Sequence, residues 1–189
     1  YTELPGPSCN GGANPTARAN MHVWLHFAVG VEAVGRVELE LWVDKLPRTC
    51  TNFRALCTGE SPPHAITRRP LHYKGCPIHR VVKGLMIQGG DIICHDGRGG
   101  ASIYGEAFDD EFEKGVVGHT QPYLLSMANA GAFASAKSQF FITFAKLAHL
   151  DGKHVVFGKL VRGEEVMKAI EAVGTGSGRG GARRTGRRR

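Results

Sequence analysis

Through HVWLHFAV, residues 22–29, Val23, Leu25 and Phe27 alternate with other side chains; after a turn around Gly30, RVELELW repeats the pattern, with Val37, Leu39 and Leu41 separated by Glu38 and Glu40. A period of two puts every second residue on one face, so this pair is predicted to form an antiparallel hairpin. The period then changes. Pro47 opens a stretch in which Cys50, Phe53, Leu56 and Cys57 fall at helical spacing, and Gly59 supplies a stop. Five further short apolar runs follow: PIHRVV, LMIQGG, YLLSMAN, SQFFITF and HVVFGKL, with Gly-rich connections such as HDGRGGAS between them. Each reads as a strand. A second helix is predicted from Glu164 to Val173, where Val166, Met167, Ile170 and Val173 share one face and two glutamates occupy the first turn.

Many short strands with two helices predict a mainly β fold, a barrel or a sandwich. Ser61–Pro70 carries three prolines and little apolar content and is expected to be a surface loop. After Val173 no Val, Ile, Leu, Met or aromatic residue remains, so the last sixteen positions are expected to supply neither a core face nor an ordinary strand. This divides the chain into an N-terminal extension (1–20), a globular domain (21–173) and an Arg/Gly-rich tail (174–189). At 189 residues and 42% hydrophobic content, one domain with one core is the natural size. No apolar stretch approaches the roughly 20 residues needed to cross a bilayer, and the polar first twenty residues show no signal peptide.

Charge and cysteine content narrow the picture further. The net charge of +7 is concentrated in the tail, which holds six arginines and no acid and leaves +1 for the rest. Such a run is a solvated end or a contact for RNA phosphates or acidic surfaces. Five cysteines, without a CxxC pair, suit a reducing compartment in which thiols act as small core residues. No HExxH or zinc-finger spacing occurs among the nine histidines, so no metal is expected. Neither GRGGAS nor GTGSGRGG follows a strand and opens a helix, which argues against a nucleotide cradle.

The stretch IHRVVKGLMIQGGDI, residues 78–92, sets a permanently charged arginine, Arg80, in a largely apolar run. A guanidinium does not shed its proton, so it must either lie at the rim with its stem over the core and its head on a carboxylate, or stand with free donors at the mouth of an apolar pocket. The local stretch allows both.

Taken together, NFRALCTGE (52–60), PLHYKG (70–75), IHRVVKGLMIQGGD (78–91), SIYGEAFDDEF (102–112), LSMANAG (125–131), SQFFIT (138–143) and LDGKHVVFGKL (150–160) closely resemble the cyclophilins, which are peptidyl-prolyl cis-trans isomerases. The resemblance covers about Val23–Val173, with the motifs in the family order. It implies an eight-stranded antiparallel β-barrel closed by two helices, acting on proline-containing peptides and proteins without a cofactor. It makes Arg80 the central catalytic residue, beside His79, and Gln88 the glutamine that holds both that arginine and the substrate backbone. Ala128 and Asn129 match the edge that binds the peptide through backbone hydrogen bonds, with Gln139 nearby. Met86, Phe141, Leu150 and His154 match the wall of the proline pocket, and Leu85 occupies another wall position.

Several positions depart from the family pattern. Leu85 and Ile78 replace frequent phenylalanines, so aromatic area is lost. His149 stands where a tryptophan usually contacts cyclosporin, and weakened binding of that ligand is expected. AFASAK after MANAG differs from the usual loop. Ser61–Pro70 followed by PLHYKG resembles the divergent-loop subgroup, and Cys57 matches one of its two noted cysteines while the C-terminal partner is absent, which points to a plain thiol on a helix. The family's last, barrel-closing strand is missing from the sequence, so an open sheet edge is expected. Two readings follow: an active isomerase assisting protein folding, or a cyclophilin-like module, with weak or no activity, that holds proline-containing segments within a larger assembly such as a ribonucleoprotein. The expected compartment is the cytoplasm, with nuclear or organellar placement left open.

Overall fold

In the hairpin the alternation of the sequence becomes two faces. Strands β1 (Met21–Val29) and β2 (Glu32–Leu41) pair antiparallel around the turn at Gly30. Val37, Leu39 and Leu41 are fully buried, and Glu38 and Glu40 point outward toward Arg162 and Lys159. The protein's structure, a computed structural model, describes residues 20–113, 115–131 and 135–177. The expected extension up to residue 19, the first three residues of the AFASAK segment and the arginines of the tail lie outside the described residues.

Helix α1 (Pro47–Thr58) starts and stops where the sequence places it. Gly59 ends it in the left-handed conformation, φ 70°, and returns its N–H to the Ala55 carbonyl, a cap that a side chain would strain. The helix start is not capped by its own residues. Glu111, more than sixty residues away, accepts the Arg48 and Thr49 N–H groups and the Thr49 hydroxyl, and so supplies both partner and negative charge at the positive helix end. The buried face of α1 carries Cys50, Phe53 and Leu56 into the core, where the Phe53 ring meets Tyr73, Phe140 and Phe157 at centroid distances of 5.3, 5.2 and 5.1 Å. Complete burial of such a ring contributes about 1.5–3 kcal/mol over its exposed state.

The remaining strands are β3 (Arg80–Val82), β4 (Met86–Gly89), β5 (Leu124–Met127), β6 (Phe140–Thr143) and β7 (Val156–Arg162), followed by helix α2 (Glu164–Ala172). They form one antiparallel sheet in the order β1-β2-β7-β5-β6-β4-β3, curled into a half-barrel. The expected run from Pro77 becomes a strand only at Arg80, consistent with the missing N–H of proline. Helix α2 ends one residue short of Val173, which is 54% exposed and does not join the buried face of Val166, Met167 and Ile170. Among the described residues β1 and β3 are edges, in line with the expected absence of a closing strand. Thr175 makes a single parallel bridge to Val82, so the first residues after α2 do turn back onto β3, which the composition of the tail had not foreshadowed.

The loop 61–70 lies at the surface as expected, with one exception. His64 is buried, bonded through its ring to Thr67 and placed 3.3 Å from Glu106. No helix of the described residues is long and apolar enough to cross a membrane.

Candidate active site

The register across four strands assembles the site. Arg80 pairs with Gln88, Gln88 with Phe141, and Phe141 with Ser126, a row running β3-β4-β6-β5 on one face of the sheet. Pleating sends the adjacent row, Val81, Ile87, Ile142 and Leu125, to the opposite face, where Ile87, Ile142 and Leu125 are fully buried in the main core. The Arg80 row therefore lies on the outside. There a second, separate apolar cluster forms from Val82, Met86 and Phe141, with Leu85, Ala128 and Leu150 packed against it.

Arg80 is exposed beside this cluster, and its guanidinium makes no hydrogen bond or ion pair with any described residue. Of the two fates that the local sequence allowed, the rim salt bridge is absent. Gln88 stands opposite Arg80, yet its amide donates to Gln139 Oε1 at 3.0 Å, and no hydrogen bond joins Gln88 to the guanidinium. The expected glutamine grip on the arginine is thus not formed in this structure; the grip is on Gln139. Gln139 in turn donates to the Gly97 and Gly99 carbonyls at 2.9 and 2.7 Å.

Those carbonyls belong to a loop built around Asp91. Its buried carboxylate accepts the N–H groups of Ile93, Cys94, Asp96, Gly97 and Gly99 at 2.8–3.1 Å. Burial by itself raises the Asp91 pKa, but the N–H groups of Cys94, Gly99, Gly97 and Asp96 outweigh it and hold the carboxyl well below the usual range. Asp91, Cys94 and Asp96 cluster closely enough to suit a cation, but both Asp91 oxygens are already engaged and Asp96 holds Arg98. His79 lies against Gly97, whose left-handed backbone leaves no room for a Cβ there. Both ring nitrogens of His79 are covered and bond no described residue, and burial lowers its pKa, so the ring is neutral packing behind the arginine.

At the other end, the Ala128 N–H is spent on the Gln139 carbonyl, whereas the N–H and C=O of Asn129 bond no described residue and stand free as a peptide edge. The Asn129 side chain is tied down by donating to Asp110 Oδ2 and to the Lys153 carbonyl. His154 sets its ring edge-on to Phe141 at 5.3 Å and donates from Nδ1 to the Met127 carbonyl. Its pKa is lowered, chiefly by burial. His149 is exposed on the short 3₁₀ turn Ala148–Leu150. The structure thus gathers Arg80, Gln88, Met86, Phe141, Leu85, Ala128 and Leu150 on one surface, with Asn129, Gln139 and His154 in direct contact with members of it.

Sequence reasoning passed over His119, Ser126 and Asp151, which lie beneath Phe141, and the organising role of Asp91. An aspartate at the head of a Gly-rich loop was a readable signal for the last. For His119 and Asp151, thirty-two residues apart, no local signal exists. Among the described residues Cys50, Cys57, Cys76 and Cys94 are free thiols, and burial pushes the Cys50 thiol up to about 12 and the Cys57 thiol higher still.

The described residues thus form a curled antiparallel half-barrel with two helices, whose outer face sets a cation without a partner among the described residues beside an apolar cluster. The family model described as "Cyclophilin type peptidyl-prolyl cis-trans isomerase/CLD" matches residues 26–185, and the chain belongs to that family. Among its relatives are two proteins named peptidyl-prolyl cis-trans isomerase 9. The one from Caenorhabditis briggsae is 54% identical over 149 residues, 79% of this chain and 47% of that protein. The one from Caenorhabditis elegans is 52% identical over 153 residues, 81% of this chain and 48% of that protein. The chain spans about half the length of the curated relatives it matches.

Proposed function

We propose that this chain catalyses cis-trans rotation about X-Pro peptide bonds in peptide and protein segments. Amide resonance sets a barrier of about 18–20 kcal/mol, and no covalent bond breaks during rotation. Catalysis must therefore favour the twisted amide, in which the proline nitrogen becomes pyramidal and regains a lone pair. A guanidinium N–H aimed at that nitrogen is stronger in the twisted state than in the planar one. The apolar cluster of Val82, Met86 and Phe141 receives the proline ring, and the free N–H and C=O of Asn129 take the backbone beside it. The observation that supports the reading is the exposed Arg80, without an acidic partner among the described residues, two register steps from a buried outer-face phenylalanine.

A charge-assisted hydrogen bond supplies roughly 1.5–3 kcal/mol, so the arginine accounts for about ten- to a few-hundred-fold of rate. The rest comes from water exclusion and from anchoring of the flanking peptide. The test is an isomerisation assay on an X-Pro tetrapeptide with the full chain. Catalysis is expected; a rate equal to the uncatalysed one would overturn the reading. The same site is expected to hold cyclosporin weakly, because imidazole at His149 offers less area than indole. Nanomolar inhibition in that assay would contradict this.

A further inference from the structure

Beneath the outer cluster lies a fully buried histidine for which the isomerisation step has no use. His119 Nδ1 sits 3.0 Å from Asp151 Oδ1, its Nε2 2.8 Å from Ser126 Oγ, and its backbone N–H 2.6 Å from the same Asp151 oxygen. An ionised carboxylate only accepts, so Nδ1 donates to Asp151, while Nε2 shares a hydrogen bond with the Ser126 hydroxyl. These are the distances of an acyl-transfer triad, but Ser126 is completely buried and no substrate carbonyl reaches its oxygen. The group's work is therefore mechanical.

What it holds is the wall of the site. The His119 carbonyl accepts the Leu147 N–H, and Asp151 caps the 3₁₀ turn by donating its own N–H to the Ala148 carbonyl. Gly118 leaves room for the carboxylate, since a Cβ there would lie 2.9 Å from Asp151 Oδ2. Residues 118–119 and 147–151 are thus latched by three hydrogen bonds, two of them to one carboxylate oxygen. The latched turn carries His149 and Leu150, and Leu150 packs on the cluster of Val82, Met86 and Phe141. The His119 ring meanwhile stacks on Phe141 at 5.8 Å with planes 9° apart. One latch therefore fixes the cluster from below, through Phe141, and from the side, through Leu150.

We propose that Asp151, acting through His119, is a positioning residue that sets how tightly this surface grips the apolar side of its peptide, and not how fast the amide twists. The inference rests on the isomerase reading. Arg80 and Gln88 stand on other strands and bond no member of the latch, which is why the effect falls on binding. The two donors from His119, backbone N–H first and imidazole second, hold the Asp151 carboxyl below its usual range, so the acceptor persists across neutral pH.

The experiment is steady-state isomerisation by the full chain, with peptide affinity measured in parallel by NMR titration. D151A is expected to raise KM and Kd about tenfold, or about 1.4 kcal/mol, with kcat within about twofold. D151N, whose Oδ1 still accepts both donors, is expected to stay within about twofold of the parent in every constant. Unchanged affinity in D151A, a fall confined to kcat, or D151N as impaired as D151A would each overturn the latch. A parent chain without turnover whose D151A variant still lost peptide affinity would sink the isomerase reading and leave the latch standing.

Discussion

The two faces of strands β3, β4, β6 and β5 carry apolar residues for opposite reasons. On the inner face Ile87, Ile142 and Leu125 join a continuous core around Phe53, with neighbours on every side. On the outer face Val82, Met86 and Phe141 form an island, bordered by an unpaired cation and propped by buried polar groups. Burial explains the first set completely. It leaves the second unexplained, because a half-barrel gains little by gathering a small greasy cluster beside a free guanidinium. The difference teaches that stability resides on one side of these four short strands and the candidate site on the other.

The sharpest break of this comparison is in the core. Phe53→Ala should cost about 3–5 kcal/mol of stability by emptying the centre of three ring contacts, measured by denaturant unfolding. A loss under about 1 kcal/mol would mean that the inner face does not govern folding. On the outer face, Arg80→Ala should lower kcat/KM by about ten- to a few-hundred-fold, about 1.5–3 kcal/mol of transition-state stabilisation, the worth of one charge-assisted hydrogen bond. Its melting temperature should barely move, since the guanidinium bonds no described residue; near-parental turnover would remove Arg80 from the mechanism.

Asp91→Asn tests the border between the faces. It replaces an acceptor of five N–H groups by an amide that must turn a donor toward some of them, for an expected loss of about 1–3 kcal/mol in stability. The loop and Gln139 should loosen with it, so activity should fall alongside. Because the folded-state pKa of Asp91 is depressed, its contribution is full above about pH 4, the ordinary carboxylate value, and is lost as pH falls below that. The smallest effect is expected at milder acidity. His79 and His154 are held neutral by burial, so the unfolded chain takes up protons that the folded one refuses, and stability should decline as pH drops below about 6.5. A melting temperature that rose between about pH 7 and about pH 5.5 would contradict this sign.

Much of the fold could be read before any coordinates. The two periods along the chain located the hairpin and both helices, and short apolar runs located the five later strands, because such patterns are local consequences of which side meets the core. The candidate site was legible by resemblance alone, since Arg80 in its own stretch fitted either of two roles. The Gln88 bond to Gln139, the cap that Glu111 places on α1 and the His119–Asp151 latch were all invisible. Each joins residues tens of positions apart through side-chain hydrogen bonds, and no short pattern encodes that.

The amino-acid order, then, settled which elements form and, for most of them, which face turns inward, because these follow from water's rejection of apolar surface acting on a few neighbouring positions at a time. Only the packed chain decided which outward residues become neighbours. Strand register set Arg80, Gln88, Phe141 and Ser126 in one row, and a one-residue slip in any of the strands would have scattered them.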